Sequence, residues 1–196
     1  LLLEELNIDR IEIASARVSE GEFQGVKGIM TWASSKGYVD RIEVLTFVDG
    51  GLSIDWMKKA GAKVQNLLTK GSLNHLSHQL KKTPEQHFAE IAQSIALANK
   101  NGIATNVYLE DWSNGMRNSP EYVFQYLDFL VTQPVKRILL PDTLGVLIPS
   151  DTFEFISKIT AKYPNIHFDF HAHNDYDLSV ANVMEAVKAG ISGLHV

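Results

Sequence analysis

The sequence predicts an α/β protein of the (β/α)8 TIM-barrel class, and three observations carry that prediction. Short β-branched or apolar runs alternate with amphipathic helical stretches along the 196 residues. Polar residues collect where the apolar runs end, which is where a parallel barrel keeps its chemistry. Seven strand candidates are present, and one strand ahead of residue 1 would make eight. The expectation is therefore a barrel fragment lacking the first strand and the closing helix. The opening Leu1-Leu2-Leu3-Glu4-Glu5-Leu6 resembles the last turns of a helix, and the chain stops inside a strand pattern at Gly193-Leu194-His195-Val196.

Taken in order, strands are expected at 9–15, 41–47, 63–69, 105–110, 137–143, 167–173 and 193–196. Helices are expected at 22–36, 53–60, 84–100, 120–131, 151–163 and 178–189. Thr83-Pro84-Glu85-Gln86 joins an N-cap threonine, a proline at the first helical position and a capping-box glutamine. Ser119-Pro120 repeats the cap-then-proline pattern. Gly37, Gly61, Gly102 and Gly190 each follow a predicted helix end, where a left-handed residue is needed. Strands alternating with helices imply parallel pairing and right-handed crossovers. A doubly wound open sheet is the alternative, but it usually carries a glycine-rich phosphate turn after its first strand, and none is seen. No low-complexity segment or linker suggests a second domain.

Composition narrows the function classes. The formal net charge of −5 argues against a nucleic-acid surface, which is normally basic. No apolar run reaches the ~18 residues of a membrane span, and no signal-peptide pattern is present. Cysteine is absent, which removes disulfides, thiolate metal sites and cysteine nucleophiles. A soluble cytoplasmic protein is the default expectation.

The most informative stretch is Phe168-Asp169-Phe170-His171-Ala172-His173-Asn174-Asp175. In a strand, His171 and His173 point the same way, while Phe168, Phe170 and Ala172 supply the opposite, apolar face. Two imidazoles on one face are either a metal chelate or hydrogen-bonded histidines, and the strand-end position favours the chelate. With carboxylate and water oxygens they suit Zn2+, Mn2+, Co2+ or Mg2+. A further protein ligand is needed, and an Asp on a preceding strand is a candidate. Other strand ends read Ser15-Ala16-Arg17, Phe47-Val48-Asp49, Thr69-Lys70, Tyr108-Leu109-Glu110-Asp111 and Pro141-Asp142-Thr143, whereas the strand middles read as apolar.

Each candidate carries two readings. Glu110 is a general base or a rim carboxylate in solvent or a salt bridge. Asp111 faces the other way and reads as structural. Thr143 binds a substrate carboxylate or caps a loop or helix. Tyr108 shares the face of Glu110 and is a pocket wall or barrel filler. His75 and His78 form an H-x-x-H pair among polar residues and read as a solvated face. His87 reads as helix surface, His167 as a residue at the stability end of its strand, and His195 is ambiguous.

Ile11-Glu12-Ile13-Ala14-Ser15-Ala16-Arg17, Leu140-Pro141-Asp142-Thr143-Leu144-Gly145 and His171-Ala172-His173-Asn174-Asp175 together resemble the DRE-TIM metallolyase superfamily. The nearest branch is the 2-isopropylmalate, homocitrate and citramalate synthases. Tyr108-Leu109-Glu110-Asp111-Trp112-Ser113-Asn114-Gly115 looks especially like (R)-citramalate synthase. The resemblance spans the whole chain and implies a partial catalytic domain, residues 1–196, of a longer protein. It implies a Claisen-type condensation of acetyl-CoA with a 2-oxo acid, helped by a divalent metal. It matches His171 and His173 to metal ligands, Glu110 to a proton-abstracting carboxylate and Thr143 to a contact of the 2-oxo acid carboxylate. It places the remaining metal-ligand Asp and a catalytic Arg on a strand before residue 1, and a glycine-rich segment after Val196. It also implies a cytoplasmic homodimer of branched-chain amino-acid biosynthesis, with a C-terminal regulatory domain.

Isopropylmalate synthases commonly have serine where Tyr108 stands. Tyr108, with Leu45 and Leu68 at neighbouring strand ends, would shrink the pocket and favour pyruvate. Four competitors remain: a 2-isopropylmalate synthase acting on 2-oxoisovalerate, a hydroxymethylglutaryl-CoA lyase-like metal lyase, a metal-dependent amidohydrolase, and a barrel that binds without turnover. The amidohydrolase usually carries its H-x-H pair on the first strand, not the penultimate one.

Overall fold

The structure, a computed structural model, describes residues 3–196. The strands are β1 (Ile11–Ser15), β2 (Ile42–Phe47), β3 (Val64–Lys70), β4 (Ala104–Glu110), β5 (Val135–Asp142), β6 (Phe168–Ala172) and β7 (Gly193–His195). They follow one another in chain order in a single seven-stranded sheet. Between them run α1 (Glu20–Lys36), α2 (Leu52–Ala60), α3 (Leu73–His75), α4 (Pro84–Lys100), α5 (Trp112–Asn118), α6 (Pro120–Leu130), α7 (Pro149–Lys162) and α8 (Ser179–Lys188). A π-helical turn, Leu76–Leu80, extends α3. Among the described residues no helix is long and apolar enough to cross a membrane.

All seven expected strands and all six expected helices are present. The capping box closes as expected: Thr83 N–H donates to Gln86 Oε1 at 3.0 Å, and Gln86 N–H donates to Thr83 Oγ1 at 3.3 Å. Gly37 ends α1 in the left-handed region at φ 75°, satisfying the carbonyl groups of the last turn. Ser119 stands at the N-cap of α6 with Pro120 following it, as expected, but its side chain makes no capping hydrogen bond there. It already closes α5, and its hydroxyl donates back to Gly115 O at 3.4 Å while accepting from Leu73 N–H at 3.3 Å. Residues 3–6 form a turn and bend rather than the expected helix end, and Leu1 and Leu2 lie outside the described residues.

The chain divides into two compact units, Leu1–Leu68 with Glu90–Asn106, and Thr69–Ala89 with Val107–Val196. In the first, β1, β2 and β3 pair in parallel, with Glu12 opposite Glu43 and Leu45 opposite Asn66. One face packs Ile42 and Val44 against Val26, Met30 and Ala33 of α1 and Ile54 and Met57 of α2. The other face is polar in its middle, contrary to the expectation of apolar strand centres. Asn66 Nδ2 donates to both Glu12 and Glu43, and Asn66 Oδ1 accepts from Asn106 at 2.8 Å. Buried amides and carboxylates are tolerated there because each one finds a hydrogen-bond partner.

In the second unit, β5, β6 and β7 pair in parallel, with Leu140 opposite Phe170 and His171 opposite His195. The alternation in β6 fixes the layout. Phe168 and Phe170 are fully buried on the helix side, where Phe170 meets the edge of Trp112 at 6.4 Å between ring centroids. Asp169 and His171 point to the opposite face, where Asp169 pairs with Arg137 and with His167 Nε2 at 2.8 Å. Burial of this aromatic layer holds β6 and its two histidines in register.

Candidate active site

The strand pairing sets His171 beside His195. The two Nδ1 atoms are 2.8 Å apart, and His171 Nδ1 also lies 3.2 Å from the His195 carbonyl oxygen. His195 Nδ1 is in turn 3.0 Å from the Tyr108 hydroxyl. The His195 carbonyl oxygen can only accept, so it draws the proton onto His171 Nδ1 and leaves His171 Nε2 as the lone-pair nitrogen. This is how outer hydrogen bonds orient metal-ligating imidazoles. Burial, with His195 and His173 beside it, pushes the His171 pKa down to about 4, so the ring is neutral at physiological pH. His173 follows just past the strand, its ring 5.0 Å from that of His171.

The pair offers two adjacent imidazoles, one of them held neutral, and that donor chemistry suits a divalent metal. Among the described residues no group of three or more His, Asp or Glu is close enough to hold a metal ion.

Tyr108 and Glu110 lie two residues apart on β4 and so share a face. Tyr108 is only 6% exposed, with its ring edge-on to His171 and His195. Glu110 pairs with Lys70 at the end of β3, and its carbonyl oxygen accepts Gly71 N–H at 2.6 Å. Thr143, at the end of β5, accepts Asp111 N–H through Oγ1 at 2.8 Å. Its hydroxyl is thus also the loop cap that the alternative reading of the sequence named. Asp111 is buried and structural as expected. Its carboxylate takes hydrogen bonds from Ser72 at 2.6 Å and Asn114 at 2.8 Å, and its backbone is left-handed at φ 66°.

The structure therefore brings Tyr108, His171 and His173 together with His195, and links Glu110 to Lys70. Leu45 and Leu68 belong to the other unit, half-buried at the ends of β2 and β3 and on one face of that sheet. Two histidine readings need correction. His87 is buried rather than surface-exposed, because its Nε2 accepts the Lys70 N–H at 3.2 Å. His75 is not solvated with His78: it is half-buried with Nε2 3.5 Å from the Asp111 carboxylate. In the sequence Lys70 stands out only as a polar strand end, and His195 is ambiguous. The available signals were a lysine closing an apolar run and a histidine at the end of the next strand after the H-x-H pair.

The HMGL-like family model matches residues 1–196. The chain belongs to this family. It is 30% identical over 200 residues to a 2-isopropylmalate synthase of Sulfolobus acidocaldarius, an alignment that covers 99% of this chain and 48% of that protein. It is 36% identical over 128 residues to a homocitrate synthase of Saccharolobus islandicus, covering 62% of this chain and 26% of that one. The chain thus spans half or less of the length of these relatives. Among solved structures it is similar to a Bacillus subtilis HMG-CoA lyase, with a TM-score of 0.73, 18% identity, and coverage of 98% of this chain and 65% of that chain. An Acinetobacter baumannii HMG-CoA lyase, solved with coenzyme A and 3-methylmalate, matches at a TM-score of 0.67 and 21% identity, over 98% of this chain and 65% of that one. These likenesses show the fold, the (β/α) barrel of the lyases, in agreement with the sequence prediction.

Proposed function

We propose that this chain is the barrel portion of an acyl-CoA-dependent synthase that condenses acetyl-CoA with a 2-oxo acid, pyruvate favoured, giving (R)-citramalate and CoA. The observation that carries the proposal is the neutral His171 ring beside His173 and edge-on to Tyr108, in a chain of this family. The sequence relatives named as synthases support the reaction class.

In this reading His171 and His173 would hold a divalent ion through their ring nitrogens. That ion supplies Lewis-acid polarisation of the 2-oxo group when bound. The Glu110 carboxylate takes a methyl proton of acetyl-CoA: the C–H bond breaks, an O–H bond forms on Glu110, and the electron pair stays on the acyl group as an enolate. The enolate carbon bonds to the keto carbon as the C=O π pair moves onto oxygen, which takes the proton back from Glu110; water then cleaves the C–S bond of the thioester and CoA leaves as the thiol. Thr143 contacts the 2-oxo acid carboxylate while capping the Asp111 peptide.

Tyr108 supports the choice of pyruvate. Its hydroxyl is tied to His195, so the ring cannot swing aside without losing a hydrogen bond. A fixed aromatic ring leaves room for a methyl substituent and crowds an isopropyl one. The full-length protein is proposed to be a cytoplasmic homodimer.

The test is CoA release by the full-length protein with pyruvate, 2-oxobutyrate, 2-oxoisovalerate and 2-oxoglutarate in parallel. Pyruvate should give the highest kcat/KM. Faster turnover of 2-oxoisovalerate would make the protein an isopropylmalate synthase instead.

A further inference from the structure

The geometry points to Lys70 as a positioning residue that aims Glu110 at the acyl methyl group, an inference that rests on the reading of Glu110 as the base. Lys70 and Glu110 form an ion pair whose side chains are only 15% and 22% exposed. Solvent-facing pairs contribute little, but a sheltered one restricts both groups.

The peptide that carries Lys70 is fixed on every side. Its N–H donates to buried His87 at 3.2 Å, and its carbonyl oxygen accepts from the Tyr122 hydroxyl at 2.8 Å. The next N–H, of Gly71, donates to the Glu110 carbonyl oxygen at 2.6 Å. A Cβ on Gly71 would stand 2.5 Å from the Leu109 carbonyl oxygen, so only glycine permits this approach of the two strand ends. Backbone and side chain of Glu110 are therefore both held by consecutive residues of β3 and the turn after it. A surface ion pair would need none of these restraints.

The consequence is chemical. The ammonium holds Glu110 Oε2, leaving Oε1 to take the proton. When the proton arrives, the carboxylate loses its charge. The ammonium is then left beside the negative charge that develops on the acyl group, where a fixed cation lowers the barrier.

The experiment compares wild type, Lys70→Met, Lys70→Gln and Lys70→Arg in the full-length protein, with acetyl-CoA and the best 2-oxo acid as substrates. Thermal melts are recorded alongside. Lys70→Met and Lys70→Gln should lose on the order of 100-fold in kcat. Both KM values should stay within about twofold. Lys70→Arg should recover much of the rate. If Lys70→Met does not fold, Lys70→Gln carries the comparison. An active wild type with undiminished kcat in the neutral variants overturns the inference and leaves the proposed function standing. A raised KM at constant kcat also overturns it, because Lys70 would then bind substrate. A wild type that releases no CoA with any 2-oxo acid overturns both.

Discussion

The Tyr108 hydroxyl and His195 Nδ1 stand 3.0 Å apart, and the same nitrogen is 2.8 Å from His171 Nδ1. One side chain of β4 thereby orients, through β7, a histidine of β6. Tyr108→Phe keeps the ring and removes that link. It should destabilise the protein by ~1 kcal/mol, the net value of one hydrogen bond. It should also weaken divalent-metal binding by ~10-fold, as loss of an outer partner of a ligand does. Titration calorimetry of the full-length protein with Mn2+ reads the second effect.

Tyr108→Ser tests bulk rather than bonding. The smaller side chain should raise the ratio of 2-oxoisovalerate to pyruvate turnover. The expected range is ~10–200-fold, the usual value of one methylene in a hydrophobic pocket. An unchanged ratio would remove Tyr108 from substrate selection.

Gly71 allows a packing prediction. Since a Cβ there meets the Leu109 carbonyl oxygen at 2.5 Å, Gly71→Ala forces the two strand ends apart. The cost should be ~1–3 kcal/mol, typical of overpacking, seen as a lowered urea midpoint. Activity should fall further than stability, because the displaced backbone carries Glu110.

Asp49 gives a pH dependence. Burial alone would raise its pKa, but hydrogen bonds from the Ser53 hydroxyl and N–H and the Arg17 guanidinium outweigh burial and hold it below the usual carboxylate range. A depressed folded pKa means that the unfolded state binds more protons. The stabilisation is therefore fully present above the ordinary carboxylate pKa of 3.8 and is lost as pH falls through the folded value. Wild type should exceed Asp49→Asn in stability at pH 6, and the gap should shrink below about pH 4. Denaturant melts across that range read the difference.

Much of the fold was legible because its signals are local. The capping box at Thr83 and Gln86 and the alternation of Phe168, Asp169, Phe170 and His171 need only neighbours in sequence. What escaped depends on partners far along the chain. The seven-residue helix Trp112–Asn118 is too short for hydrophobic periodicity to mark it, and it follows a left-handed Asp111. The polar sheet face escaped because Glu12, Asn66 and Asn106 satisfy one another only once three strands are aligned. The same holds for the site. The H-x-H spacing exposes His171 and His173, but nothing in the spacing ties Lys70 to Glu110, 40 residues away. His87 reads as helix surface until its contact with the Lys70 peptide is known.

The most direct test of the account is metal-dependent CoA release from acetyl-CoA and pyruvate by the full-length protein, measured before chelation, after it, and after Mn2+ is restored. Activity should vanish with the metal and return with it, and His171→Ala and His173→Ala should remain inactive throughout. CoA release that survives complete metal removal, or that persists in the His173→Ala protein, would contradict it.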